Sequence, residues 1–276
     1  MALKLMYITN RPEVAVIAEN AGVDRIFVDM EQIGKADRQG GMDTVQSHHT
    51  LEDVEAIRRV VTKSQLMVRC NPIHEATGEH PGSREEIEAI IARGADVIML
   101  PYFKTVEEVR EFVEIVAGRA ITLPLVETPE AVARIDEILE LPGIDEIFVG
   151  LNDLSLGYGR KFMFELLADG TVEKLCEKFK KKGIPYGFGG IASLGKGLLP
   201  SEYVIMEHYR LGSTCAILSR SFCNMSRESD IERVETIFRK GVHDIREFED
   251  RCTHRQDAYE SNRLQMIDLV NKIIGQ

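Results

Sequence analysis

Two acidic residues lie where a buried strand would end, and their spacing suits metal chemistry. Glu127 closes the apolar run 121–127 and precedes Thr-Pro, while Asp153 follows the apolar run 146–150. Two carboxylates with added waters commonly hold Mg²⁺, and Mn²⁺ accepts the same oxygen ligands. An ion held in this way can polarise a bound carbonyl. The alternative is that both are charges at helix starts, which the Thr-Pro after Glu127 supports in part.

Further charged residues follow neighbouring apolar runs. Asp29 is the last residue of the run 25–29, and Glu31 lies two residues after it. Arg69 is the last residue of the run 65–69. An arginine beside a metal can hold a carboxylate or neutralise a developing enolate oxygen. We therefore expect Arg69 to be catalytic and to bind substrate, with Asp29 and Glu31 as further substrate-binding residues.

The elements that must position these residues alternate regularly along the chain. Short apolar runs, rich in β-branched residues, are separated by longer amphipathic stretches. Strands that read as continuous apolar runs are typical of parallel sheets covered on both faces. The predicted strands are 3–8, 25–29, 65–69, 96–100, 121–127, 146–150, 184–188 and 213–218, and the predicted helices are 11–21, 50–62, 84–93, 105–117, 129–139, 171–182 and 200–210.

Eight strands, each followed by a helix, predict an α/β fold of the (β/α)8 TIM barrel type, whose usual size is about 250 residues. The alternative is an open doubly wound sheet, but no GxGxxG opens the first βα unit. We assign residues 1–224 to the barrel and 225–276 to a C-terminal helical extension. Chemistry in such barrels lies at the carboxyl ends of the strands, where the charged residues above are found.

Two helix starts carry a capping-box pattern, in which a side-chain oxygen is followed three residues later by Glu. These are Ser83 with Glu86 and Thr105 with Glu108. Glycine at 22, 94 and 183 stands where helices are expected to end.

The apolar C-terminal residues Leu264, Ile267, Val270 and Ile273 need a surface to cover them. That surface is either the chain's own barrel or a neighbouring subunit. We expect burial of these side chains, much of it in a homo-oligomer formed through the C-terminal helices.

Composition excludes several classes of protein. The chain has 276 residues with 45 Asp and Glu against 34 Lys and Arg, a formal charge of −11. Such acidity argues against a nucleic-acid partner or an anionic membrane surface. No apolar run approaches the ~18–20 residues that span a bilayer. Five scattered cysteines without CxxC spacing and a start without a secretory apolar region favour reduced thiols and a cytoplasmic protein.

Four segments resemble successive signatures of the HpcH/HpaI aldolase and citrate lyase family, in order, from about residue 5 to 222. They are Val68-Arg69, Gly94-Ala95-Asp96-x-Ile98-x-x-Pro101, Leu125-Val126-Glu127-Thr128-Pro129-Glu130-Ala131 and Gly150-Leu151-Asn152-Asp153-Leu154-Ser155-x-Gly157. The resemblance implies a metal-dependent barrel that makes or cleaves a carbon–carbon bond beside a pyruvate- or acyl-CoA-derived enolate. It also implies oligomers whose C-terminal helices pack across subunits.

The resemblance also implies roles for individual residues. Glu127 and Asp153 become the ligands of one Mg²⁺ or Mn²⁺ ion, and Arg69 faces the enolate oxygen. From the last motif we expect Gly150, Asn152 and Ser155 to bind substrate.

The chain departs from this family at the expected acid/base. In the pyruvate aldolases that it resembles, the second strand leads to Glu-His, whereas here Gln32 stands in the His position and Ala92 stands where the aspartate partner is expected. An amide does not titrate near neutrality, so Gln32 is expected to hydrogen-bond to the substrate or to a water on the metal.

A long loop after the second strand offers substitutes for the missing histidine. Residues 33–50 include Lys35, Arg38, His48 and His49, and loops of this length are often lids or binding segments. Histidine titrates near neutral pH, so His48 and His49 are candidate catalytic residues in proton transfer. The alternative is a solvated loop.

We therefore expect a divalent-metal-dependent carbon–carbon lyase or aldolase that acts through a pyruvate-type enolate on a 2-oxo acid. One alternative is an acyl-CoA-ester lyase or a phosphoenolpyruvate-handling enzyme on the same metal site. Another is a barrel that binds a small acid or a partner protein without turnover.

Overall fold

Eight parallel strands close into a barrel in the computed structural model, which describes residues 2–35, 47–78, 80–225 and 228–275. Each strand pairs with the next in chain order, and the eighth returns to the first. The predicted TIM barrel is therefore confirmed. The strands are Lys4–Ile8 (β1), Arg25–Asp29 (β2), Gln65–Arg69 (β3), Val97–Leu100 (β4), Ile121–Val126 (β5), Ile147–Val149 (β6), Tyr186–Ile191 (β7) and Cys215–Leu218 (β8).

Helices connect the strands and extend beyond the last one. Those within the barrel are Pro12–Asn20 (α1), Leu51–Val60 (α2), Ser83–Ala92 (α3), Val106–Val116 (α4), Pro129–Ala133 (α5), Ile135–Ile138 (α6), Leu151–Gly157 (α7), Glu165–Ala168 (α8), Thr171–Lys182 (α9) and Ser201–Leu211 (α10). The C-terminal extension consists of Ile231–Thr253 (α11), a 3-10 turn at Gln256–Ala258, and Tyr259–Ile274 (α12).

Apolar side chains fill two separate layers. One cluster lies inside the barrel and includes Met6, Phe27, Met99 and Phe148. The larger cluster lies between the strands and the surrounding helices. The strands are therefore covered on both faces, which explains why they read as continuous apolar runs rather than as alternating ones.

Only one of the two predicted capping boxes is present. At Thr105 both hydrogen bonds with Glu108 form, as predicted. At Ser83 the prediction was wrong, because the Ser83 hydroxyl accepts the amide N–H of His74 (2.8 Å) while Glu86 contacts Asn71. A box that the sequence analysis missed begins α2, where Thr50 pairs with Asp53.

Strand β7 starts later and runs further than predicted, through a glycine-rich segment. A Cβ at Gly187 would lie 2.4 Å from the carbonyl oxygen of Cys215 in β8. Glycine therefore permits β8 to approach, and Gly187, Gly189 and Gly190 are part of the sheet. The predicted helix 129–139 is likewise divided at Arg134 into α5 and α6.

The C-terminal helices pack on the chain's own barrel. Helix α11 lies against α1 and α10, and α12 lies against α10 and α8. Met266 and Val270 of α12 are fully buried, and the Asn262 amide donates to Glu207 Oε1 at 3.1 Å. Leu264, expected to be buried, is 58% exposed in the single chain, because the buried face of α12 follows residues 262, 266 and 270. Association across subunits stays a prediction.

The helices were compared with the requirements of a membrane span. Across the part of the chain that the structure describes, none combines the length and the apolar character that a bilayer span requires.

A buried ion-pair network closes the amino-terminal edge of the barrel. The Arg25 guanidinium, with no exposed surface, donates to both carboxylate oxygens of Glu146 at 2.7 Å. Lys4 donates to the same carboxylate at 2.8 Å, and Gln65 accepts from Arg25 Nε at 2.9 Å. Burial alone would raise the pKa of Glu146, but its contacts with Arg25 and Lys4 outweigh burial and lower it. The network joins β1, β2 and β3 to the start of β6.

We predict that Glu146→Gln lowers the free energy of unfolding by about 3–5 kcal/mol at pH 7, because it leaves Arg25 buried without its counter-ion. The lowered pKa means that the pair stabilises the fold above the ordinary carboxyl pKa and loses this effect as the pH falls through the folded-state value. The free energies of unfolding of the wild type and the variant, measured in urea, should therefore become more similar below about pH 4. Glu88→Gln, which breaks an exposed pair with Arg119, is the control and should change little; equal losses in both variants would contradict the prediction.

Candidate active site

The two predicted metal ligands converge at the carboxyl end of the barrel. Glu127 follows β5, Asp153 lies in the first turn of α7 just after the neighbouring β6, and both line the same cavities. Their exposed fractions are 4% and 7%. Burial, followed by the negative charges of Glu31 and Asp153, raises the pKa of Glu127 well above its ordinary value. A cation between these carboxylates would relieve both effects.

Backbone groups fix the Glu127 side chain. The amide N–H of Tyr102 donates to Glu127 Oε1 at 2.9 Å. Tyr102 has a φ of 48°, a left-handed conformation that non-glycine residues rarely adopt and that often marks functional sites. Gly150 lies on the other side, where a Cβ would be 2.7 Å from Glu127 Oε2. Thr128 is the N-cap of α5. The Thr-Pro helix start predicted from the sequence is therefore present, and the Glu127 carboxylate before it still lines the cavity.

Arg69 is held by a carboxylate on the adjacent strand. Its Nε and Nη2 donate to the two oxygens of Asp29, each at 2.8 Å, and its Nη1 lies 3.3 Å from Glu31. The Arg69 side chain is 15% exposed and lines the larger cavity. The guanidinium therefore faces the cavity in one fixed orientation.

Lys35 supplies a second buried cation that the site prediction did not include. Its Nζ donates to Asp29 Oδ2 at 2.7 Å and lies 3.5 Å from Glu31. Burial opposes the charge of Asp29, but Arg69 and then Lys35 outweigh it and hold the pKa of Asp29 well below its usual range.

The same contacts give Asp29 and Glu31 a positioning role, and the binding of substrate by these two residues stays a prediction. Both carboxylate oxygens of Asp29 are engaged by Arg69 and Lys35, so the residue positions these cations. Glu31 is 1% exposed, is covered by the same two cations, and is not among the cavity-lining residues.

Asn71 fixes the start of the loop that follows β2. Its Oδ1 accepts the amide N–H groups of Gln32 (2.8 Å) and Ile33 (2.9 Å), while its Nδ2 donates to buried Glu86 at 2.9 Å. With the backbone held in this way, the Gln32 side chain is exposed and outside the cavity-lining set. Its hydrogen bond to the substrate or to a water on the metal stays a prediction.

Of the two loop histidines, the structure brings His49 to the cavity. His49 Nδ1 accepts the amide N–H of Asp29 at 3.0 Å, and burial lowers its pKa. His48 is exposed and is absent from the cavity-lining residues. Arg38 falls outside the described residues.

Two further sequence expectations change on the structure. Gly150 and Asn152 line the cavity, but the Ser155 hydroxyl donates to the carbonyl oxygen of Asn152 at 2.7 Å and so supports the first turn of α7. Ala92 is the exposed last residue of α3 and lies near the amino-terminal start of β4, on the opposite side of the barrel from the site. It is therefore not in a position to orient a side chain at position 32.

The cavity has a volume of about 660 Å³, within the range of small-molecule sites. Its lining is of mixed character. Polar residues of the lining include Asp29, Lys35, His49, Arg69, Glu127, Asn152 and Asp153. Apolar residues of the lining include Phe162, Phe164, Leu198, Leu199 and Met225.

The donor set fits a divalent ion that keeps open positions. Among the described residues, no group of three or more His, Cys, Asp or Glu side chains is arranged to hold a metal. Glu127 and Asp153 offer two carboxylates, and Mg²⁺ is usually bound by one or two carboxylates together with waters and substrate oxygens. The pair therefore suits an ion that is completed by its ligand.

Comparison with known proteins defines the class. The family model HpcH/HpaI aldolase/citrate lyase matches residues 4–184. A solved structure of an HpcH/HpaI aldolase from Desulfitobacterium hafniense DCB-2 superposes with a TM-score of 0.59 at 18% identity, covering 89% of this chain and 93% of that chain. The chain belongs to the HpcH/HpaI aldolase/citrate lyase family, which supports a lyase of the aldolase type.

Two curated relatives match over short segments. A hydroxypyruvate/pyruvate aldolase of Rhizorhabdus wittichii is 37% identical over 79 residues, which cover 26% of this chain and 32% of that protein. A pyruvate kinase of Methylorubrum extorquens is 38% identical over 73 residues, 26% of this chain and 15% of that protein. The chain thus matches less than a third of either relative's length.

We predict that Glu127→Gln stabilises the protein when divalent ions are removed. The raised pKa of Glu127 means that its ionisation destabilises the fold above the ordinary carboxyl pKa, and the amide removes this penalty. In EDTA at pH 8 the variant should unfold roughly 2–4 °C higher, the shift that 1 kcal/mol makes in a domain of similar size, and the gain should shrink toward pH 4. Added Mn²⁺ should raise the Tm of the wild type alone. A variant that is less stable in EDTA at every pH would contradict the prediction.

Proposed function

We propose that the protein is a Mg²⁺- or Mn²⁺-dependent aldolase that cleaves or forms a carbon–carbon bond through a pyruvate-type enolate of a 2-oxo acid. The observation that carries the proposal is the convergence of buried Glu127 and Asp153, with Arg69 in a fixed orientation, on one cavity at the barrel mouth. The short match to a hydroxypyruvate/pyruvate aldolase supports the same substrate class.

In this proposal Glu127 and Asp153 hold the ion. The Tyr102 amide binds the Glu127 carboxylate, and the absence of a side chain at Gly150 leaves room for it. When bound, the ion supplies a Lewis acid for the 2-oxo carbonyl. A covalent lysine intermediate is not required, which agrees with Lys35 being buried in ion pairs with Asp29 and Glu31.

Arg69 binds and stabilises the oxygen that gains charge. A guanidinium has five N–H groups, of which two donate to Asp29, while Nη1 also forms an ion pair with Glu31 at 3.3 Å. In this proposal the substrate accepts from the N–H groups that Asp29 does not use. During cleavage of a 4-hydroxy-2-oxo acid, the C3–C4 bond breaks and its electrons form the enolate. The C4 hydroxyl loses its proton to solvent water and becomes an aldehyde, and the enolate takes one proton from solvent at C3 to give pyruvate, so that the protons balance. A donor fixed beside the enolate oxygen lowers the barrier of this step.

A panel of 4-hydroxy-2-oxo acids tests the proposal, with pyruvate release measured by a coupled lactate dehydrogenase assay. We expect release with Mg²⁺ or Mn²⁺, loss in EDTA, and recovery when the ion is returned. Release that is unaffected by EDTA would overturn the metal mechanism. Turnover only of CoA esters or phosphoenolpyruvate would favour an alternative chemistry on this site, and binding without turnover of any panel member would favour a non-catalytic barrel.

The contact between Gly150 and Glu127 gives a sharper prediction. Gly150→Ala places a methyl group 2.7 Å from Glu127 Oε2, so the carboxylate must move. We expect at least tenfold weaker Mn²⁺ binding by calorimetry or electron paramagnetic resonance, with the helical circular dichroism of the wild type. Gly78→Ala, whose new methyl group meets no atom within 4 Å, is the matched control. Unchanged Mn²⁺ affinity in Gly150→Ala would show that Glu127 is not a ligand.

A further inference from the structure

The hydrogen bond of His49 defines which ring nitrogen carries the proton. Asp29 lies beyond the last β1–β2 pair, formed by Ile8 and Phe27, and its amide N–H instead donates to His49 Nδ1 at 3.0 Å. A backbone amide can only donate, so Nδ1 must present its lone pair. A neutral imidazole with Nδ1 as acceptor carries its proton on Nε2.

The surroundings of His49 favour this neutral form. The carboxylates of Asp29 and Asp53 face the ring and favour its protonation, while the cations of Lys35 and Arg69 oppose it. Burial is the largest influence and lowers the pKa. The ring is also in the cavity lining, next to Arg69 and Lys35.

We propose that His49 acts as a neutral hydrogen-bond donor, whose Nε2–H binds the substrate oxygen that carries alkoxide charge during carbon–carbon bond cleavage or formation. This inference rests on the proposed function, in which Arg69 and the ion already serve the enolate oxygen. No proton passes to His49, because Nδ1 is occupied by the Asp29 amide and Nε2 already holds a proton. None leaves it, because loss of the Nε2 proton from a neutral ring would leave an imidazolate anion. This role differs from the proton-transfer role expected from the sequence.

Two variants separate a donor from a base. The amide nitrogen of glutamine reaches about as far as Nε2, so His49→Gln retains a donor, whereas His49→Asn reaches only as far as Nδ1. We expect His49→Gln to keep kcat within about tenfold of the wild type, and His49→Asn to lose about 10²–10³-fold, the effect of removing one oxyanion donor. His243→Gln, at an exposed position on α11, is the matched control and should keep full activity. Equal losses in His49→Gln and His49→Asn would overturn the donor role.

The wild-type protein provides a test that needs no variant. In ¹⁵N-edited NMR of the histidine rings, His49 should show an unprotonated Nδ1 and a protonated Nε2 from pH 6 to 8. A ring that becomes doubly protonated in this interval, or a pH dependence of kcat/KM near 6.5 that His49→Gln abolishes, would overturn the proposal.

The two proposals can fail independently. If EDTA does not affect the reaction while the NMR spectra show the expected tautomer, the metal mechanism fails and the ring assignment stands. If the reaction is metal-dependent but His49→Asn retains the full rate, the donor role fails and the proposed function stands.

Discussion

The bidentate pair between Asp29 and Arg69 is the interaction on which the rest of the site depends. It joins the end of β2 to the end of β3 and directs the guanidinium toward the cavity. Asp29 also binds Lys35 through its carboxylate and His49 through its amide. Buried charges are costly unless they are paired and hydrogen-bonded. The Asp29 carboxylate, which holds two cations, and the Asp29 amide, which holds His49, therefore explain how these three side chains keep fixed positions.

The two carboxylates at Glu127 and Asp153 have the reverse electrostatic character. Around Asp29 the buried charges are compensated, whereas Glu127 and Asp153 are like charges brought together, and Glu31 adds to their repulsion. The Tyr102 amide nevertheless binds the Glu127 carboxylate, and Gly150 leaves room for it. Strained and poorly compensated groups of this kind are common at functional sites, because the arrangement that activity requires lowers the stability of the fold.

The sequence was sufficient for the barrel and for the residues that end its strands. Continuous apolar runs identified the buried strands, and the direction of parallel strands then brought Arg69, Glu127 and Asp153 to one edge. The loops were less predictable because their side chains depend on distant partners. The Gln32 side chain is exposed since Asn71, on another strand end, holds its backbone, and the Ser83 box is lost to contacts with His74 and Asn71. Sequence patterns within one segment do not show these contacts, because the competing partners lie elsewhere in the chain.

The attachment of Lys35, Arg69 and His49 to the same residue has a consequence for sequence variation. The two cations share the Asp29 carboxylate, and the histidine ring binds the Asp29 amide. A substitution that removes this carboxylate leaves two cations without their counter-ion at once, which is costly for groups so little exposed. The effects of substitutions at Asp29, Lys35 and Arg69 are therefore not independent, and these positions are expected to change together or not at all.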